Sequence, residues 1–259
     1  MEYKNIIYTL ENGIAKIEIN RPKAFNALNT ETNNEIEDVV DAITDSPDVR
    51  VLIITGSSKV FVAGADVTEL AEANPRDAYN NCCLAHRIFK KLEALQVPVI
   101  AAICGPTLGG GLEMALSCDF RIAGESGLFG LPEITLGIIP GAGGTQRLAK
   151  LIGASRAKEL VMLGNRIDAA TAKEYGLVNV LCKDEEVAEE AQKMAEKLCK
   201  RPAIALKFAK ECVNFGANMN LDTGLEFEKS RFSLAFNTAD QKEGMKAFFE
   251  KRKPNFTHK

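Results

Sequence analysis

Residues 97–118 read VPVIAAICGPTLGGGLEMALSC: an apolar run, a glycine-rich loop and a helix-like run. The first run has the length of a strand and is almost wholly apolar, as expected when both faces of a parallel sheet are covered. Three successive glycines, Gly109 to Gly111, let the backbone approach a ligand closely and adopt positive φ angles. The stretch predicts a strand, an open loop and a helix start within an alternating α/β fold.

The segments before this stretch alternate in the same way. Ala15, Ile17 and Ile19 lie on one face of a strand pattern whose other face is charged, and residues 30–44 and 75–95 have helical spacing. Beyond residue 155 helical patterns dominate, and only 177–181 looks extended. The later helical patterns cover 156–163, 169–175, 185–200, 203–215 and 240–251. We expect an α/β core over 1–195 and a helical C-terminal region over 196–259, packed together because no flexible linker separates them.

The composition narrows the class of protein. The chain has 259 residues, 46% of them hydrophobic, and a net charge of -3, which disfavours nucleic acid as a partner. The sequence has neither an apolar run long enough to cross a membrane nor a signal pattern, so we expect a cytoplasmic protein with no membrane partner. The seven cysteines form no C-x-x-C pair and are interpreted as reduced structural thiols.

Several kinds of catalytic site are excluded by the residues that are missing. The only histidines are His86 and His258, too few for a histidine metal cluster, and no metal site is expected. The chain contains neither a G-x-S-x-G elbow nor a G-x-x-x-x-G-K-[ST] phosphate loop. A dinucleotide loop read from Gly109 would need glycine where Met114 stands. Carboxylates and backbone amides remain as the candidate catalytic groups.

Two glycine-containing loops are candidate sources of such amides. Residues 61–66 read FVAGAD, and the loop at 105–111 precedes Glu113. Free amides in both loops would stabilise an enolate oxygen, although the same glycines are also compatible with a tight turn alone. Glu133 has apolar neighbours that would raise its pKa. Both glutamates are candidate acid-base groups, and the alternative is that they are ordinary surface residues.

Four ordered motifs together resemble the enoyl-CoA hydratase (crotonase) family, most closely its bacterial short-chain members. The motifs are FVAGAD at 61–66, LGGGLEMA at 108–115, FGLPE at 129–133 and IPGAGGTQRL at 139–148. The resemblance extends over nearly the whole chain, through NRPKAFNAL at 20–28, YGLVN at 175–179 and FFEKRK at 248–253. It implies a spiral of β-β-α turns with a helical C-terminal trimerisation region, assembled as a trimer or a dimer of trimers.

The resemblance also implies an activity and its residues. The activity is the reversible syn addition of water to a trans-2-enoyl-CoA, crotonyl-CoA above all, without a cofactor beyond the CoA of the substrate. Glu113 and Glu133 would be catalytic, the amides of Ala63 and Gly110 would form the oxyanion hole, and Gly141 would orient Glu133. The implied substrate contacts are Lys23, Ala24, Ala63, Gly64, Ala65, Asp66, Val67, Phe248 and Lys251. Many hydratases of the family have glutamine where Leu131 stands, so one orienting polar contact is absent here.

Other functions remain open at this point. The same oxyanion hole supports Δ3,Δ2-enoyl-CoA isomerases and other acyl-CoA enzymes, but an isomerase needs only one of the two glutamates. An acyl-CoA- or RNA-binding scaffold is the non-enzymatic alternative, and the acidic balance of the chain argues against RNA.

Overall fold

The structure is a computed structural model that describes residues 2–44 and 46–258. Its strands are β1 (Ile6–Glu11), β2 (Ile14–Ile19), β3 (Val51–Thr55), β4 (Val99–Ile103), β5 (Pro106–Leu108), β6 (Phe120–Gly124), β7 (Leu128–Gly130), β8 (Arg166–Asp168) and β9 (Val180–Cys182). Its α-helices are α1 (Thr30–Thr44), α2 (Val67–Ala71), α3 (Pro75–Ala94), α4 (Gly110–Leu116), α5 (Gly144–Ile152), α6 (Ala154–Leu163), α7 (Ala169–Glu174), α8 (Val187–Cys199), α9 (Ala203–Gly216), α10 (Leu221–Ala235) and α11 (Ala239–Phe249). Short 3-10 helices cover Pro22–Ala24, Pro132–Leu136 and Asp184–Glu186.

Two sheets carry the α/β core. The larger has the order β1-β2-β3-β4-β6-β9 and is parallel except for the antiparallel pair β1-β2. The smaller has the order β5-β7-β8. All five residues of β4 are buried, which confirms the expectation that this apolar run is covered on both faces. The chain passes from β4 in the larger sheet to β5 in the smaller sheet, and Gly109 then leads directly into α4.

The sequence patterns explain most elements of the core. In β2 the side chains of Ala15, Ile17 and Ile19 are buried while Lys16 and Glu18 stay partly exposed, as the alternation predicted. Helix α3 begins at the Asn74 cap, whose side chain accepts bonds from the first-turn amides, with proline at the first helical position. These local signals place α3 where one face covers the core through Ile88.

Beyond residue 155, two elements were not predicted from the sequence. Strand β8 has three residues and is held by antiparallel pairing with β7, a long-range contact with no local pattern. Helix α10 begins at the Asn220 cap and lies beside α9, but several of its apolar side chains, including Leu225 and Phe232, stay exposed. Without a single buried face, α10 lacks the helical periodicity that sequence reasoning depends on. No helix in 2–44 and 46–258 is long and apolar enough to cross a membrane.

The helical C-terminal region is attached to the core by a buried ion pair. Lys210 Nζ on α9 lies 2.8 Å from Asp119 Oδ2 and also donates to the Val97 carbonyl at 3.0 Å. The expected boundary at residue 195 falls inside α8, whose buried Ala191 and Ala195 pack against the large sheet. We therefore propose that the division into core and C-terminal region lies at the end of α8.

Candidate active site

Gly109 holds the glycine loop against the second glutamate. Its φ of 49° and ψ of -125° are open to glycine and strained for other residues. A Cβ at Gly109 would lie only 2.8 Å from Oε1 of Glu133 and 3.7 Å from Cα of Gly64. The absence of a side chain here lets the loops at 61–66 and 105–111 and the turn that carries Glu133 meet at one point.

The structure corrects the choice of one amide donor. The Ala63 amide, expected to face the thioester oxygen, already donates to the Phe25 carbonyl at 3.1 Å. Two residues later, the Ala65 amide has no acceptor in the described part of the chain, and it lies 3.4 Å from where a Cβ of Gly110 would stand. The Gly110 amide is at the first position of α4, where amides have no partner within the helix. Ala65 and Gly110 thus present neighbouring free amides.

Glu113 is buried, with only 2% of its surface exposed, and is held by two backbone amides. Its Oε1 accepts hydrogen bonds from the Ala142 amide at 2.8 Å and the Gly144 amide at 2.7 Å. Burial raises the pKa of Glu113, and these two amides oppose the rise together with the positive charge of Arg147. Amide donors favour the ionised form of the carboxyl group, which is the form that a general base requires.

The carboxyl group of Glu133 lacks the two amide donors that hold Glu113. Glu133 lies in the 3-10 helix Pro132–Leu136, and its Oε2 is buried without a hydrogen-bond partner in the described residues. Burial, with a smaller contribution from the nearby charge of Glu113, raises the pKa of Glu133 to about 7 against a lowering effect of its own backbone amide. The expectation that its apolar neighbours raise this pKa is confirmed. Glu133 is therefore suited to carry a proton near neutral pH.

The loop at 141–144 contributes the contacts that sequence reasoning missed. Arg147 Nη1 donates to the Ala142 carbonyl at 2.8 Å, and its Nε lies 2.6 Å from Glu93 Oε1. This contact fixes the Ala142–Gly143 peptide group, which lies between the two peptide groups whose amides contact Glu113. The residues were visible in the motif at 139–148, but nothing in the motif indicates that its amides point back to a carboxylate on another helix.

Gly141 and Leu131 are the two remaining residues of the predicted site. The Gly141 amide makes no hydrogen bond with either glutamate among the described residues, so its orienting role remains a prediction. Leu131 is fully buried, and its Cδ1 would lie 2.9 Å from a Cβ on Gly144, which places it beside the Glu113 carboxylate. An apolar side chain therefore packs directly against the Glu113 carboxylate.

Two of the segments expected to hold CoA, residues 21–28 and the loop at 63–66, are in contact. The backbone of residues 25–28 is hydrogen-bonded to the loop at 63–66. For example, the Leu28 amide donates to the Gly64 carbonyl at 2.8 Å. Asp66 pairs with Arg21 at 3.0 Å, which ties the loop to the segment that carries the exposed Lys23 and partly exposed Ala24. The remaining expected contacts, all exposed, are Ala65, Val67, Phe248 and Lys251. The last two lie at and beyond the end of α11, and all of these CoA contacts remain predictions.

A sizeable cavity lies away from the two glutamates. It has a volume of about 970 Å³ and is lined by residues of α9 and the core, including Lys210, Asp119 and Leu206, and by neither glutamate. We place the chemistry at the glutamates because that is where free amides and a carboxyl group of raised pKa meet.

Comparisons with known proteins agree with this geometry. Residues 9–259 match the family model described as enoyl-CoA hydratase/isomerase. A crotonyl-CoA hydratase from Syntrophomonas wolfei is 46% identical over the full length of both chains. A short-chain-enoyl-CoA hydratase from Clostridium acetobutylicum is 44% identical over 98% of this chain and 97% of its own.

Solved structures give the same answer for the fold. The crystal structure of an enoyl-CoA hydratase from Bacillus anthracis superposes with a TM-score of 0.95 at 42% identity, covering 99% of this chain and all of the other. The crotonase-type α/β fold with a helical C-terminal region, expected from the resemblance, is confirmed. The chain belongs to the enoyl-CoA hydratase/isomerase family.

Proposed function

We propose that this protein is an enoyl-CoA hydratase that adds water reversibly, in the syn sense, across the 2,3 double bond of a trans-2-enoyl-CoA. The observation that carries the proposal is the contrast between Glu113, held by two amides, and Glu133, which has a pKa of about 7 and no partner for Oε2. Hydration needs one group that accepts a proton from water and one that delivers a proton to C2. The two environments fit these two roles.

The oxyanion hole is assigned to the free amides of Ala65 and Gly110. Water adds to C3 only if the negative charge that develops on the thioester oxygen is stabilised, and paired amides do this without reorganisation. One such donor contributes about 2.7–4 kcal/mol in comparable enzymes. Because the Ala63 amide is already bonded to Phe25, it is not part of the proposal.

Glu113 is assigned as the base that activates water, since its two amide donors favour the carboxylate. Glu133 is assigned as the acid that protonates C2, since burial keeps it neutral up to about pH 7. The two carboxyl groups interact, so their titration belongs to the pair. The proposed reaction uses no cofactor: water supplies the hydroxyl group at C3, Glu133 supplies the proton at C2, and Glu113 takes the remaining proton of water, which must return to Glu133 before the next turnover.

The proposed substrate is short, crotonyl-CoA in particular. Two of the relatives are named crotonyl-CoA hydratase and short-chain-enoyl-CoA hydratase, at 46% and 44% identity. A series of trans-2-enoyl-CoA thioesters from four to twelve carbons tests this part, and we expect kcat/KM to be highest for the four-carbon substrate. A maximum at ten or twelve carbons would contradict it.

We further propose that the protein is a homo-oligomer, a trimer or a dimer of trimers. Large apolar side chains stay exposed on α10, α11 and the turn between them in the single chain: Phe232, Phe236, Phe248 and Phe249. Exposed aromatic groups of this size mark protein–protein contacts more often than free surface.

The central test is crotonyl-CoA hydration, followed by loss of the enoyl-thioester absorbance. We expect Glu113→Gln and Glu133→Gln each to lower kcat by about 10² or more while substrate binding survives. Glu125→Gln, an exposed glutamate that follows β6, is the matched control and should keep full activity.

The same assay distinguishes the alternatives. If the protein is an isomerase, the wild type will shift the double bond of a 3-enoyl-CoA faster than it hydrates crotonyl-CoA. That activity will depend on Glu133 alone. A binding scaffold would retain CoA affinity with no turnover in the wild type. Near-normal hydration by either glutamine variant would refute the assigned pair.

A further inference from the structure

The two peptide groups that donate to Glu113 are held in different ways. One joins Gly143 to Gly144 and the other joins Gly141 to Ala142, and their N–H groups both reach Oε1 of Glu113. The carbonyl of the first accepts bonds from the amides of Gln146 at 3.1 Å and Arg147 at 2.8 Å. The first turn of α5 therefore fixes that peptide group locally.

The carbonyl of the other peptide group depends on a distant side chain. The Gly141 carbonyl accepts from Nε2 of His86, at 2.8 Å, on helix α3 and 55 positions earlier in the chain. No other donor to this carbonyl is present in residues 2–44 and 46–258. Because the acceptor is a carbonyl oxygen, Nε2 must carry the hydrogen, in the neutral Nε2-protonated imidazole or in the imidazolium.

We propose that His86 is a positioning residue for Glu113, acting through the Gly141–Ala142 peptide group. This inference rests on the proposed role of Glu113 as the base. A peptide group whose C=O accepts a hydrogen bond has a more polarised N–H, so the His86 contact strengthens the Ala142 bond to Glu113. It also fixes the peptide plane beside a glycine, where the backbone would otherwise rotate at little cost.

Neighbouring groups allow two roles for His86, packing against the loop or positioning Glu113. Cys82, one turn before His86 on α3, has its Sγ only 2.8 Å from where a Cβ of Gly141 would stand, so α3 and the loop also touch without His86. The groups whose charge acts at Glu113 are Arg147 on α5, Glu133 on the 3-10 helix and His86 itself. A packing role for His86 would affect stability, whereas a positioning role would affect the ionisation of Glu113.

The experiment compares His86→Leu, which removes the donor, with His86→Gln, which retains a side-chain N–H donor. Lys90→Gln, another exposed position on α3, is the matched control. We expect His86→Leu to lower kcat for crotonyl-CoA hydration about 5- to 10-fold, the scale of one hydrogen bond. KM should stay within about 2-fold, and His86→Gln should recover most of the loss.

The pH profile provides the readout that a packing role would not move. Weakening the Ala142 donor disfavours the carboxylate of Glu113, so the acid limb of kcat/KM should move to higher pH in His86→Leu and return in His86→Gln. A His86→Leu protein with wild-type kcat and an unmoved acid limb would overturn the inference. An equal loss of kcat in His86→Leu and His86→Gln, in proportion to the drop in their thermal unfolding midpoints, would also overturn it.

Failure of this inference is distinguishable from failure of the proposed function. If the wild type hydrates crotonyl-CoA and Glu113→Gln does not, the function stands, and the His86 variants alone decide the inference. If the wild type has no hydratase activity, the assignment of Glu113 as base falls first, and the His86 inference falls with it.

Discussion

The fold should become more stable at alkaline pH when the proposed acid is removed by Glu133→Gln. Burial raises the pKa of Glu133 from 4.5 to about 7, and its Oε2 has no hydrogen-bond partner in the described residues. Because the folded-state pKa lies above the unfolded one, the stability that the neutral acid contributes is complete below about pH 4.5. It is lost as the pH rises through about 7.

The size of the effect follows from that difference. One pKa unit corresponds to about 1.4 kcal/mol, so the difference between 4.5 and about 7 sets an upper limit of about 3 kcal/mol. The Glu133 side chain is partly exposed, and solvent screening reduces this figure to about 2 kcal/mol. Glutamine stays neutral, so the variant should gain about 2 kcal/mol over the wild type at pH 9 and little at pH 5.

Thermal unfolding at pH 5 and pH 9 measures this difference. For a chain of this size, about 2 kcal/mol corresponds to a rise of roughly 4–8 °C in the unfolding midpoint. Equal protein concentrations are needed, since unfolding of an oligomer depends on concentration. Glu125→Gln should show no such pH dependence. A Glu133→Gln variant that is no more stable than wild type at pH 9, or equally stabilised at both pH values, would refute the reasoning.

Other predictions test the amides, the loop and the C-terminal region. Gly110→Pro removes the amide and should lower kcat by about 10² or more relative to Gly110→Ala, which adds the same Cβ but keeps the N–H; equal rates would show that this amide does not face the thioester. Gly109→Ala should lower kcat at least about 10-fold, because its Cβ would lie 2.8 Å from Glu133 Oε1 and its φ is 49°; steady-state kinetics on the folded variant checks this. Lys210→Met leaves the largely buried Asp119 carboxylate with the Val99 amide but without its cation, and should cost about 3 kcal/mol in urea denaturation; a loss under about 1 kcal/mol would contradict the importance of the pair. Light scattering at micromolar concentration should give a trimer or hexamer, and a monodisperse particle of 28.1 kDa would sink the oligomer proposal.

Local sequence patterns were sufficient for the strands and helices that have one clear buried face. The alternating segment of Ala15, Ile17 and Ile19 is strand β2, and the periodic segment at 30–44 is helix α1 with those same bounds. Strand β8 and helix α10 could not be found in this way. The first depends on pairing with β7, and the second has no single apolar face, so in both cases the deciding contacts are tertiary.

The identity of the two glutamates and of the glycine loop also came from the sequence, through motif order and through the chemistry that their residue types allow. The motifs could not say which amides are free. The Ala63 and Ala65 amides belong to one short loop, and only the bond from Ala63 to the distant Phe25 carbonyl separates them. An amide's availability is determined by its acceptor, and here the acceptor lies in another segment of the chain.

The contrast between the two glutamates is likewise a property of the fold. Glu113 receives amides from residues 29 and 31 positions later, and His86 reaches the same loop from 55 positions earlier. Hydrogen bonds and desolvation set the pKa of a carboxyl group, and both depend on which segments meet around it. The sequence alone therefore indicated the residues that we propose carry the chemistry, and the tertiary structure determines their ionisation, because only folding brings their partners within hydrogen-bond distance.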